Sequence, residues 1–214
     1  MTGTAGMWLV DPSVLPAFLL AMVLIELTPG PNMGYLALVS TVRGRLAGLL
    51  TIVGVTVGLG LYLMLALYGL TKTPLASAGA LTALKWAGVG YMLWLAIEAL
   101  LPERSVQSRP LRLPFAAGRL MLRGLVANLL NPKAALFYMV MLPGFVRPEF
   151  AAPRTQMLVF GGIHIGISIM VHLAIVVGAA GTASHLPASG RRLLRWGLAT
   201  GLAATALWVG VAPR

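Results

Sequence analysis

The sequence predicts an all-α integral membrane protein: six transmembrane helices, arranged as two inverted three-helix repeats. Three observations predict it. Of the 214 residues, 58% are hydrophobic and only 10% are charged, whereas an ordinary soluble domain carries about 25% charged residues. Six apolar runs, each on the scale of a bilayer, follow one another along the chain. Short motifs in the first three runs recur in the same order in the last three.

Composition sets the class. A mean hydropathy of +0.89 excludes disorder, which needs low hydrophobicity and high charge. It also excludes a soluble globule, because such a chain cannot cover its surface with polar groups. With no cysteine, disulfide scaffolds, thiolate metal sites and thiol–disulfide carriers are excluded.

The runs are 13–38, 47–70, 85–101, 120–143, 155–180 and 191–211. They leave short loops and one domain, 1–214: a first repeat over about 13–101, a loop over about 102–119 and a second repeat over about 120–211. Residues 1–12 contain Asp11 but no Lys or Arg, so the first run lacks the basic start of a cleavable signal and is expected to be retained. Residues 71–84, with Pro74, read as a connection. The 102–119 loop holds Glu103, Arg104, Arg109, Arg112 and Arg119 with Pro102, Pro110 and Pro114.

The net charge of +11 is read as topology rather than nucleic-acid binding, because the basic residues lie between apolar runs. Arg43, Arg45, Arg104, Arg109, Arg112, Arg119, Arg123, Arg191, Arg192 and Arg195 fall on one side. Lys72, Lys85, Arg147, Arg154 and Arg214 fall on the other. The richer side is expected to be cytoplasmic, which puts both termini outside.

The repeat rests on three matches. Gly54-Val-Thr-Val-Gly58 answers Gly162-Ile-His-Ile-Gly166, and Leu84-Lys-Trp86 answers Leu194-Arg-Trp196. More loosely, Thr28-Pro-Gly-Pro-Asn32 answers Asn131-Pro-Lys133, each a proline break within a run. Three spans per half is an odd number, so the second half inserts upside down. Inverted repeats with helices interrupted at matching positions mark secondary transporters.

The breaks are where chemistry is expected. Pro29 and Pro31 each remove a backbone donor and clash with the preceding turn, and Gly30 adds freedom between them. Asn131-Pro132 acts likewise in the fourth run. Lipid cannot satisfy the freed backbone groups, so both breaks should face protein or a watery cavity. Glu26 and Lys133 are the charges lying well inside the first and fourth runs. A charge at that depth costs several kcal/mol, so it is paired or functional. The alternatives to function are a structural ion pair between them, or a protonated Glu26.

Restarting helices aim N–H groups into the cavity, which suits an anion. Lys133 adds positive charge, Glu26 negative charge, and Asn32, Asn128 and Asn131 add amides. Both signs of charge together with amides suit a zwitterion such as a free amino acid. His164 and His172, each four residues from Ser168, are candidates for proton relay, with hydrogen-bonded packing as the alternative. Glu98 is expected at the cytoplasmic interface. The spaced glycines, Gly54/Gly58 and Gly162/Gly166, are expected to let helices approach closely, within one chain or in a homodimer. Trp86, Trp94, Trp196 and Trp208 lie near run ends, as interfacial aromatics do.

Three motifs carry a family resemblance. They are Glu26-Leu-Thr-Pro-Gly-Pro-Asn-Met33 with Arg43-Gly-Arg45 and Gly48; Leu84-Lys-Trp-Ala-Gly-Val-Gly-Tyr-Met-Leu-Trp94; and Asn128-Leu-Leu-Asn-Pro-Lys-Ala134 with Phe137 and Leu142-Pro143. Together, over about residues 13–211, they resemble the lysine-exporter superfamily of LysE/RhtB type. The resemblance implies a six-span exporter of amino acids or related small metabolites, driven by the proton-motive force, in a bacterial inner membrane. It implies that Thr28, Pro29, Gly30, Pro31 and Asn32, with Asn131, Pro132 and Lys133, line a central site.

The rival within that superfamily is a divalent-cation exporter. It needs clustered ligands, and the runs offer only Glu26, His164 and His172. A membrane enzyme would need a nucleophile or an acid–base set, and the sequence has no such pattern. No catalytic residue, metal site or cofactor is expected. Nor is a nucleotide-binding loop present. The expected partners are a small-molecule substrate and membrane lipid, with no nucleic acid.

Overall fold

The computed structural model describes residues 8–28, 30–68, 77–101 and 113–211, the side chains of 113–116 aside. Pro29, Lys72, Pro74, Arg214 and the loop segment 102–112, with its arginines and prolines, lie outside the described residues. Among the described residues every regular element is helical.

Helix α1 spans Leu15–Leu27 after a 3-10 turn, Pro12–Val14, whose start is capped by Asp11 accepting from the Ser13 N–H at 2.9 Å. It stops where the chain alternates with proline. A residue before proline is pushed out of helical space, and Thr28 (ψ 119°) and Gly30 (ψ 172°) are both extended.

Helix α2 spans Pro31–Leu67 and turns one corner, at Gly44. There φ is 82° and ψ 178°, a conformation open essentially to glycine alone. A loop was expected over 39–46; instead helix runs up to the corner and resumes after it, and exposed Arg43 and Arg45 flank the corner.

Helix α3 spans Ala78–Leu100 and starts earlier than expected, because Ser77 caps it by accepting from the Ala80 N–H at 3.2 Å. Residues 78–84, read above as connection, are therefore helix. Likewise α4, Leu113–Leu129, takes up the end of the expected loop. Helix α5, Pro132–Gly144, follows α4 across a 56° bend and contains a π turn, Phe137–Met141, just before Pro143. Helices α6 (Pro153–His185) and α7 (Ala188–Val211) complete the chain.

Four helices, α2, α3, α6 and α7, are long and apolar enough to cross a membrane, and the bent pair α4–α5 makes a fifth span if counted as one. The Pro12–Leu27 segment is apolar but shorter. The chain is thus a multi-pass membrane protein.

Packing centres on α2, which lies against α4 and α6, while α3 lies against α7. One apolar cluster joins Phe18 of α1, Leu59, Tyr62 and Leu63 of α2, Tyr138 of α5 and Phe160 of α6. A second joins Tyr35 and Val39 of α2 to Val89 and Leu95 of α3 and Leu202 of α7. The α2–α4 crossing is very close: a Cβ on Gly54 would strike the Met121 carbonyl, and one on Gly124 would strike the Thr51 carbonyl. The second expected glycine pair behaves differently. Among the described residues a Cβ on Gly162 or Gly166 would meet nothing within 4 Å, whereas one on Gly161 would strike Leu63 of α2.

Candidate functional site

The broken ends of α1 and α5 meet. Lys133, in the first turn of α5, reaches across to α1 and its ammonium donates to the carbonyls of Ile25 at 2.8 Å and Thr28 at 3.2 Å. A helix end leaves its last carbonyls short of partners; here the Thr28 N–H reaches Ile25 O at 3.3 Å, and the half-buried Lys133 ammonium adds a donor to both Ile25 O and Thr28 O. The C-terminal end of a helix is its negative pole, so a cation is well placed. Asn131 fixes the start of α5 by accepting from the Lys133 backbone N–H at 3.0 Å. The end of α4 is held separately: the Tyr62 hydroxyl donates to the Leu129 carbonyl at 2.6 Å.

Glu26, in the last turn of α1, is 5% exposed. Its partner is not Lys133. Glu26 Oε1 lies 3.2 Å from His164 Nε2, and Oε2 lies 4.0 Å from His172 Nε2, both on α6. His164 Nδ1 meets the Tyr138 hydroxyl at 3.0 Å, and His172 Nδ1 meets the Ser168 hydroxyl at 3.4 Å. Phe137 packs on the His164 ring, centroids 4.1 Å apart. A buried carboxylate left without partners would be costly; this one sits between two imidazoles. The structural ion pair between Glu26 and Lys133 is thus replaced by two separate arrangements.

These groups share one cavity, of about 20 Å³, room for a water molecule and little more. Glu26, Gly30, Asn32, Asn131, Lys133, His164, Ser168 and His172 line it. Buried Asn32 leaves its Oδ1 without a hydrogen-bond partner.

Other expected site residues stand differently. Thr28 contributes its carbonyl, while its exposed hydroxyl donates to Leu24 O at 2.7 Å. Pro31 and Pro132 open α2 and α5 without lining the cavity. Asn128 is fully buried away from it and donates to the Val55 carbonyl at 2.9 Å. Pro29 lies outside the described residues. Glu98 pairs with Arg123 at 3.0 Å, and the Arg123 guanidinium lies over Trp94 at 5.3 Å. Sequence reasoning passed over Tyr138, an aromatic in an apolar stretch five residues beyond Lys133; only its mid-run hydroxyl was a signal. The carbonyls of Ile25 and Thr28 carry no residue signature.

Several membrane-length helices, packed around a small cavity lined by both signs of charge, define the class: a multi-pass membrane protein with a polar core. The chain belongs to the LysE type translocator family, whose model matches residues 23–212. Translocators of this family transport solutes and are not enzymes. The chain is 29% identical, over 80% of its length and 81% of the relative's, to a homoserine/homoserine lactone efflux protein of Salmonella typhimurium. It is 30% identical to a leucine efflux protein of Klebsiella pneumoniae, over 64% of this chain and 65% of that one. An uncharacterized membrane protein of Vibrio cholerae is 27% identical over 79% of this chain and 82% of its own. No solved structure matches.

Proposed function

We propose that the protein is a secondary transporter that exports amino acids or related small metabolites from the cytoplasm across a bacterial inner membrane, coupled to the proton-motive force. The observation that carries this reading is the shared cavity: Glu26 from α1, Lys133 from α5 and the two histidines of α6 line one space. A zwitterion needs both signs of charge, and this space supplies them. Relatives named as homoserine and leucine efflux proteins support the substrate class.

Six spans fit the elements. The first is α1 with α2 up to Gly44, the second is the rest of α2, the third is α3, the fourth is α4 with α5, and α6 and α7 complete the set. The breaks at 28–31 and 130–132 then fall in the first span of each half, as an inverted repeat requires. The excess of basic residues on one set of loops puts both termini outside.

Proton coupling is assigned to Glu26, His164 and His172. Tyr138, His164, Glu26, His172 and Ser168 form a run of titratable and hydroxyl groups with successive contacts of 3.0 to 4.0 Å. A histidine–carboxylate run of this kind passes protons in membrane pumps and transporters. The cavity is smaller than an amino acid, so loading requires it to widen.

The test is flux into proteoliposomes with a panel of labelled amino acids, with and without an imposed proton gradient. Gradient-driven accumulation of one or a few amino acids is expected. No flux of any, with gradient and protein integrity verified, overturns the amino-acid reading and turns the search to divalent cations or other solutes.

A further inference from the structure

We propose that the paired carbonyls of Ile25 and Thr28 are a binding subsite for a primary ammonium group, occupied in this structure by the protein's own Lys133 and surrendered to the substrate's ammonium when substrate enters. The inference deepens the amino-acid reading and rests on it for the identity of the incoming group.

Four observations carry it. First, the contact is made by an ammonium on main-chain carbonyls: Lys133 Nζ donates to Ile25 O at 2.8 Å, beside a longer bond from the Thr28 N–H at 3.3 Å, and to Thr28 O at 3.2 Å. An ammonium has three donors and no acceptor, so these two bonds leave one N–H to spend. Second, Asn32 Oδ1 is buried and unpartnered, and Asn32 lines the same cavity as Lys133. It is a third acceptor that the tethered ammonium leaves unused. Third, the break brings backbone without a side chain up against the ammonium. Lys133 Nζ is the nearest atom to the point where a Gly30 Cβ would sit, at 3.4 Å. Fourth, the carbonyls end α1, so the helix pole favours a cation whether it comes from Lys133 or from a ligand.

The arrangement works as an exchange of like for like. A substrate ammonium takes the two carbonyls and gains Asn32. Lys133 is released with its charge intact and meets the substrate carboxylate that arrives with that ammonium. The number of charges on the α1 end stays the same throughout, so its carbonyls keep a cation at every stage. The subsite selects primary ammonium over quaternary ammonium, which has no N–H to donate.

The experiment uses the full-length protein in detergent and does not measure transport, so its failure is separable from failure of the flux assay. Lys133→Ala removes Cγ, Cδ, Cε and Nζ, and n-propylammonium restores the same four heavy atoms as a free ligand. The thermal midpoint of Lys133→Ala should rise by about 4 °C at about tenfold excess of n-propylammonium over its Kd. Tetramethylammonium should give no shift. Lys133→Met keeps the stem in place and should not respond to either. The chain has no cysteine, so Lys133→Cys offers a second route. Alkylation with 2-bromoethylamine rebuilds an ammonium at lysine length and should restore the wild-type midpoint, whereas iodoacetamide should not. Equal shifts with tetramethylammonium, or no shift in Lys133→Ala together with no recovery in aminoethylated Lys133→Cys, overturn the proposal. So does failure of both variants to fold in n-propylammonium buffer while Lys133→Met folds.

Discussion

Glu26 Oε1 and His164 Nε2 stand 3.2 Å apart although 138 residues separate them in the chain. One belongs to the end of a broken helix and the other to the middle of an unbroken one. Any movement of α1 relative to α6 therefore changes this distance, and with it the balance of charge and proton between the two groups.

Glu26→Gln keeps the side-chain shape and removes the charge. Gradient-driven accumulation is expected to fall by at least about tenfold, within the usual range of coupling free energies. Exchange of labelled for unlabelled substrate, which needs no net proton movement, is expected to continue. Accumulation and exchange measured side by side in proteoliposomes check this; loss of both together would mean that Glu26 binds substrate rather than couples it.

Lys133→Met is expected to abolish transport of a substrate bearing a carboxylate, since the variant offers that carboxylate no cation. Binding of the same substrate, followed by its effect on thermal midpoint, should vanish as well. Wild-type flux in this variant would remove Lys133 from the site.

Gly44→Ala tests the corner of α2. A Cβ there meets nothing within 4 Å, so crowding contributes nothing and the backbone alone decides. With φ at 82° and ψ at 178°, the cost is about 1–3 kcal/mol. Gly44→Asn should be no better, because its tolerance is for the left-handed helical region rather than this one. Thermal midpoints of the two variants against wild type give the comparison.

Gly54→Ala and Gly124→Ala should each destabilise by about 1–3 kcal/mol, because the added methyl meets a backbone carbonyl that cannot give way. Gly162→Ala, with open space around it, should be close to neutral. Unfolding of the purified protein separates the two groups. A large effect at Gly162 would point to a neighbour outside the single chain.

Much of this could be read from the residues. The breaks at Pro31 and Pro132 follow from proline chemistry, and the burial of Glu26 and half-burial of Lys133 from their place in apolar runs. Their partners could not be read. The alternative of an ion pair between Glu26 and Lys133 rested on opposite sign alone, whereas the lysine is spent on two carbonyls, which every residue possesses. Tyr138 looked like one more aromatic among Phe137, Met139 and Val140; its role comes from α6 lying beside it. The corner at Gly44 was hidden because one glycine between two arginines does what a longer loop was expected to do. Of the two matched glycine pairs, Gly54/Gly58 carries the packing within the chain, because spacing along a helix does not say which way the face points.

The 2.6 Å bond from Tyr62 to the Leu129 carbonyl moors the end of α4 to α2, whereas Lys133 moors the start of α5 to α1. Each piece of the interrupted helix thus has its own tie, and both pieces also lie on α2, where the Tyr62 and Tyr138 rings stack 6.3 Å apart. Only Leu130 and Asn131 stand between the two pieces, so a shift of either neighbouring helix is passed to the other through two residues of backbone.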